Sequence, residues 1–346
     1  MERKILKALP DPSLVTAIGI FVVTYSLLLA FSPFERNGFA FGNYVVLFTP
    51  LAIAAVGTTI VLISGGFDLS VAGTISLSNV LAATLLTRFE EMTWLVVLVI
   101  ILVGMTVGLL NGLFIVLLKL QSLAVTLASF ICTTGIALMI LPAPGGSTPS
   151  AFTNVALASF GDIPVALLAL IAIGILWSIF RRTRTGNSLF AIGADRPAAV
   201  MSGISVNRSE ITAYILAGGL YAAAGVYLTA VTSSGDPNAG RPFLLTAFAA
   251  MALGLVSFRG GAGNPVAAIL GAASLMTIPK LLFGLGIEDF WVGAFQGLII
   301  LAALSIPVLT RGLSSRSAAR KGRAHLAELQ APASGKSARD TQGAAT

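Results

Sequence analysis

Ten apolar runs, spread along almost the whole chain, decide what solvent it can fold in. A transmembrane helix needs about 20 mostly apolar residues. Candidates occupy Leu14–Phe31, Tyr44–Ile63, Leu69–Thr87, Trp94–Leu118, Leu123–Leu141, Ile163–Phe180, Ile211–Thr232, Leu244–Phe258, Val266–Phe283 and Phe290–Leu309. Of the 346 residues, 56% are hydrophobic and only 10% are charged, against about 25% charged in ordinary soluble domains. That leaves too little polar material to cover a soluble surface. The pattern predicts an all-α, polytopic membrane domain over residues 1–310 with about ten transmembrane helices. Leu69–Thr87 is rich in Ser and Thr, and Leu244–Phe258 is short. Either could be a broken or re-entrant segment enclosed by protein or a watery cavity.

The first run also has the basic start of a signal peptide (Arg3, Lys4, Lys7) and a small-x-small site at Ala30-Phe31-Ser32. Its length exceeds the usual signal core of about 7–15 residues, and Pro33 follows at once. It is expected to be kept as a helix.

Lys and Arg favour the cytoplasmic side of a membrane protein. With the N-terminus inside and ten alternating helices, 17 of the 21 Lys and Arg fall inside. Only Arg36, Arg88, Arg241 and Lys280 are left outside. This asymmetry accounts for the net charge of +7 without a nucleic-acid partner. Arg181–Glu210 becomes the longest inner loop. Arg311–Thr346 becomes a basic tail of a composition expected to be disordered.

The chemistry-bearing residues exclude several classes. Cys132 and His325 are the sole cysteine and histidine. They offer neither a disulfide nor the roughly four ligands of a structural zinc site. A Ser-His-Asp triad within the membrane is excluded, since His325 lies in the tail. Gly335-Lys336-Ser337 ends like a phosphate loop, but Gln330 stands where the earlier glycine should, and no strand precedes it. No catalytic residue, metal site or cofactor site is expected on this chain. Uphill transport would draw its energy from a gradient or another subunit.

Gly65-Gly66-Phe67-Asp68-Leu69-Ser70 reads as a helix end, a Gly-Gly turn, and Asp68 or Ser70 capping the next helix. Gly104, Gly108 and Gly112 make a small-residue stripe, suited to close packing inside the bundle or between two subunits. Thr126, Ser129 and Thr133 share one helical face. With Asn79, Asn111 and Gln296 they could line a cavity whose neutral amides and hydroxyls suit a polyol or sugar. Hydrogen bonding between helices is the plainer use of each. Lys280 is expected to snorkel to the outer surface. In the inner loop, Asp195 can cap a short helix with Pro197 in its first turn and Gly203 as its stop.

The run GGFDLSVAGTISLSNVLAA (65–83) resembles the G-G-[IF]-D-L-S-V-G signature of the ribose-type sugar permeases of ABC importers. Three further stretches are similar to that family in the same order: the G-L-x-N-G helix within Gly108–Ile140, the inner loop and next helix Arg182–Gly218, and the late segment Phe243–Ala272. The chain departs from the pattern at Ala72, in place of the signature's last glycine. It departs again at Leu255, where the late segment usually has a second glycine.

The resemblance implies a vitamin-importer-like arrangement of about ten helices. It implies a permease subunit of an ATP-driven importer of a sugar-like solute, in a bacterial inner membrane with both termini cytoplasmic. The implied partners are an ABC ATP-binding subunit, which would hold ATP and Mg, a periplasmic solute-binding protein and a second permease, identical or paralogous. Asp195, Arg196, Pro197, Ala198, Ala199, Val200, Met201 and Gly203 would form the helix that couples to the ATPase. Ala199, Val200 and Gly203 would pack against it. The alternative is a gradient-driven transporter or facilitator working alone, which would tend to show ionisable residues at the bilayer midplane. A membrane-embedded enzyme would need clustered histidines or carboxylates within helices, which this chain lacks.

Overall fold

The computed structural model describes residues 12–288 and, beyond them, 291, 293–295, 297–298, 301–302 and 305. The chain divides into two units, Met1–Leu304 and Ser305–Thr346. The helices named here belong to the first: α1 (Pro12–Phe31), α2 (Gly38–Ile63), α3 (Val71–Arg88), α4 (Thr93–Leu117), α5 (Ser122–Ile140), α6 (Ser150–Ala156), α7 (Val165–Arg181), α8 (Arg184–Ala194), α9 (Arg196–Met201), α10 (Val206–Thr232), α11 (Phe243–Leu253) and α12 (Pro265–Gly284). One small antiparallel hairpin pairs β1 (Ser159–Phe160) with β2 (Ile163–Pro164).

Six of these helices, α1, α2, α4, α5, α10 and α12, are long and apolar enough to cross a membrane. A seventh span results if α7 and α8, which meet at 78°, are counted together. The chain is thus an all-α polytopic membrane protein, and the count of ten was approximate. α3 falls outside the set because Thr74, Ser76, Ser78 and Asn79 dilute its apolar content. The expected segment Leu244–Phe258 is helical only as α11, 11 residues long, before the chain turns. Of the tenth candidate, residues 291, 293–295, 297–298 and 301–302 are helical. The basic N-terminal start and the tail Arg311–Thr346 lie outside the described residues.

α2 runs through the centre and is buried at every residue from Phe48 to Ile63. Its neighbours are α10, α12 and α11. The most extensive pairing joins α4 to α10, and the glycine stripe explains it. A Cβ on Gly104 would run into the Gly218 carbonyl, one on Gly108 into the Tyr214 carbonyl, and one on Gly112 would lie 3.0 Å from the Ile211 Cα. Without side chains there, the backbones close on each other, which is how helices gain contact where lipid removes the hydrophobic drive. The stripe therefore serves the interior of the bundle.

Candidate functional site

α9, six residues long, is the shortest α-helix among the described residues, and its own sequence explains both of its ends. The Asp195 carboxylate accepts from the Ala198 N–H at 3.0 Å. This supplies an acceptor for one of the first-turn donors that a helix leaves open. Pro197 sits in that first turn, where a missing N–H costs least. Gly203, at φ +75°, turns the chain away. Arg196 pairs with Glu210 on α10 at 2.8 Å, which fixes the approach of α9 to the bundle.

Ala199 is buried against Ile192 and Val206 of the same chain. Val200 and Met201 stand 58% and 89% exposed. The apolar surface that α9 offers outward is therefore Val200 and Met201, while Ala199 anchors the helix from within. Asp195, Arg196, Pro197, Ala198 and Gly203 are exposed.

The signature turn lies against the same region. Gly65 adopts φ +88° at the end of α2. A Cβ on Gly193, one residue before the end of α8, would strike the Ile63 carbonyl and the Gly261 amide. A Cβ on Gly260, at φ +81°, would come within 2.9 Å of Gly65. Three glycine-bearing segments, from the ends of α2 and α8 and the loop after α11, thus meet backbone to backbone beside α9. Gly65, Gly66, Lys119, Arg196, Val200 and Glu210 line a cavity of about 800 Å³ at this junction.

Ser70 stands at the N-cap position of α3 without a side-chain cap bond, and Asp68 just before it is buried at 1% exposure. Its Oδ1 accepts from the Ser70 N–H at 2.9 Å and from the Ser70 hydroxyl at 2.5 Å. The Asn111 amide on α4 donates to the same hydroxyl at 3.1 Å. Burial pushes the Asp68 carboxyl up to about 6, against the opposing pull of its Ser70 donors. The web ties the turn between α2 and α3 to α4.

Thr126, Thr133 and Asn79, three more of the candidate lining residues, also find partners inside the chain. The Leu69 N–H donates to the Thr126 hydroxyl at 3.0 Å, and that hydroxyl donates to the Ser122 carbonyl at 2.8 Å. Thr133 donates to the Ser129 carbonyl at 2.7 Å. Asn79 donates to the Thr229 hydroxyl at 2.7 Å and accepts from the Asp236 N–H at 2.7 Å. Ser76, another polar residue of α3, accepts from the Gly240 N–H at 2.9 Å. The polar residues of α3 thus hold the loop after α10 down on the bundle. Ser129 is half-buried. Gln296 lies outside the described residues. Lys280 does not reach freely outward, since its ammonium donates to Glu35 at 2.7 Å, with both side chains largely covered.

Sequence reasoning missed Glu210 as the partner of Arg196 and the contacts of Gly260 and Gly261. Only the glycine pair offered a local hint, because Gly260 and Gly261 both need positive φ.

A bundle of apolar spans, a bent pair at α7–α8, the short apolar α11 and a capped helix set off from the spans are the parts of a polytopic membrane protein, and its class is a permease subunit. The chain belongs to the family described as "Branched-chain amino acid transport system / permease component", whose model matches residues 40–304. It is 31% identical to the galactose/methyl galactoside import permease protein MglC of Escherichia coli over 88% of this chain and 98% of that one. It is 33% identical to the ribose import permease protein RbsC of Bacillus subtilis, over 83% and 91% respectively. A probable ABC transporter permease protein of Sinorhizobium fredii, y4mJ, is 28% identical over 84% and 89%. No solved structure matches.

Proposed function

We propose that this chain is one of two membrane-spanning subunits of an importer for a sugar or sugar-like solute, driven by ATP hydrolysed on a partner chain. The observation that carries the reading is α9. It is a preformed, capped helix whose Val200 and Met201 stand 58% and 89% exposed, outside the buried core of the described residues. A permease without a nucleotide site must receive force through such a surface. The ATPase would hold ATP and Mg. An outer solute-binding protein would deliver the solute to a path between this chain and a second permease. The two subunits would then rock between states that bind the ATPase differently. Similarity to permeases named for galactose and ribose supports a sugar as cargo.

The basic loop Arg181–Glu210 supports a cytoplasmic α9 in a bacterial inner membrane, with both termini inside. A gradient-driven transporter is less well supported. Among the described residues Asp68 is the one buried carboxylate, and it belongs to the turn rather than to a midplane relay.

Affinity purification in mild detergent, with mass spectrometry of what stays bound, tests the class. Recovery of a nucleotide-binding subunit supports it. The chain alone, taking up galactose or ribose in vesicles without ATP, would overturn it. Orientation is tested in a Cys132→Ser background. Ser150→Cys should react with an impermeant thiol reagent from outside and Ser202→Cys only after permeabilisation. The reverse pattern would invert the topology.

A further inference from the structure

The loop after α10 runs where a bilayer leaves room for little but helices. It follows α3, which is flanked by the spans α4, α5 and α10. The Arg88 end of α3 leads into exposed Glu90 and Glu91, so that end meets water. At the helical rise of about 1.5 Å per residue, Ala83, Asn79 and Ser76 lie about 8, 14 and 18 Å below Arg88. The loop descends past all three. A Cβ on Gly235 would lie 2.7 Å from the Ala83 Cβ. The Asp236 N–H donates to Asn79, and the Gly240 N–H to Ser76. A Cβ on Gly240 would strike the Ala72 carbonyl, one turn further down. A hydrocarbon core is about 30 Å thick. Residues 235–242 thus carry non-helical backbone past its middle before α11 begins.

The two sides of this stretch differ. Gly235, Pro237 and Gly240 are buried. Asp236, Asn238 and Ala239 are half-buried, and Arg241 and Pro242 are exposed. The backbone N–H groups are met by Gly145, Asn79, Ser76 and turns within the stretch. The Ala239 carbonyl, by contrast, accepts no hydrogen bond among the described residues. Arg241 has no carboxylate partner among them. In a bilayer, irregular backbone at this depth persists only inside protein or along a water-filled cavity. A lipid-facing arginine is costly there as well. The α3 side of the stretch lies inside protein, so its open side is left to water.

We propose that residues 236–241 line a water-filled path that reaches past the middle of the membrane. On the reading of this chain as a permease, that path is the solute's. Asn79 and Ser76 are then positioning residues, which hold the lining segment against α3 rather than face the path themselves. The inference rests on the permease reading and on nothing about ATP.

The test uses single cysteines in a Cys132→Ser background, in lipid nanodiscs, where both bilayer faces are open to a charged, membrane-impermeant thiol reagent. Asn238→Cys and Arg241→Cys probe the segment. Pro242→Cys, also exposed, replaces either one that fails to keep the parent's melting temperature. Ile18→Cys on α1 and Leu110→Cys on α4 are the controls. Both side chains are exposed, at 46% and 47%. They lie about 20 and 26 Å from the Phe31 and Thr93 ends of their helices, a depth that matches the segment. The segment cysteines should react at least tenfold faster than both controls. Reaction no faster than the controls would mean that lipid or a second subunit covers this face, and would overturn the inference. Recovery of a nucleotide-binding subunit would be untouched by that result, so the two readings fail separately.

Discussion

Gly193 and Gly261 meet backbone to backbone, and the Gly261 amide donates to the Ile63 carbonyl at 2.9 Å. Nothing but glycine fits at position 193. The end of α2, the end of α8 and the loop after α11 are therefore locked together at Gly193, two residues ahead of Asp195, the cap of α9. A push on α9 has a stiff route into the central helix.

Gly193→Ala should reveal this through its sign. In an open helix, Gly→Ala stabilises by about 1 kcal/mol. Gly19 in α1 has nothing within 4 Å of its Cβ position, and Gly19→Ala should raise the thermal stability of the purified protein or leave it level. Gly193→Ala should lower it by about 1–3 kcal/mol, the usual cost of overpacking. The same direction of change in both variants would mean that the junction yields without strain.

Asp68 makes stability depend on pH. Its folded value, about 6, stands above the ordinary carboxylate value of 3.8. The folded state therefore holds the proton more tightly than the unfolded state. Stability is greatest below about 4 and is lost as pH rises through about 6. Asp68→Asn has no charge to bury. From pH 4 to 7 the melting temperature of Asp68→Asn should rise relative to wild type, by an amount worth on the order of a few kcal/mol. Parallel pH profiles would remove Asp68 as a source of pH dependence.

Asn79→Ala should release the loop after α10. It removes the acceptor of the Asp236 N–H and the donor to Thr229. A stranded polar group costs about 1–3 kcal/mol. Hydrogen exchange at Asp236 should therefore rise about tenfold, the equivalent of about 1.4 kcal/mol, with α12 unchanged. Unaltered exchange at Asp236 would show that the Gly145–Gly235 bridge holds the loop by itself.

On α9, exposure separates function from folding. Met201→Glu touches no core, so the protein should purify with unchanged stability while ATP-driven uptake falls at least tenfold. Ala199→Glu places a charge against Ile192 and Val206 and should destabilise by at least about 3 kcal/mol. Full uptake by Met201→Glu would move the docking surface elsewhere.

Whatever depends on a few neighbouring residues was legible in the sequence. Apolar runs of sufficient length imply spans, because lipid leaves the backbone no partners other than its own. The cap, proline and glycine around α9 sit within nine residues of one another, and helix ends are closed by such neighbours. The length of α11 was less legible. Leu255 takes φ +53° in the turn that ends the helix, a conformation that glycine signals and leucine does not.

The partners of buried polar groups were decided only by tertiary structure. Asn79, Asn111 and Thr126 are recognisable as polar residues among apolar ones, and in lipid such groups must be satisfied. Which groups satisfy them is a matter of which backbones pass nearby, and for Asn79 those lie some 150 residues away. The same holds for Gly65, Gly193 and Gly261. Each glycine signals freedom of the backbone, but that the three spend it on one another follows from the packing of three distant helix ends. A single strand of sequence carries no term for that distance.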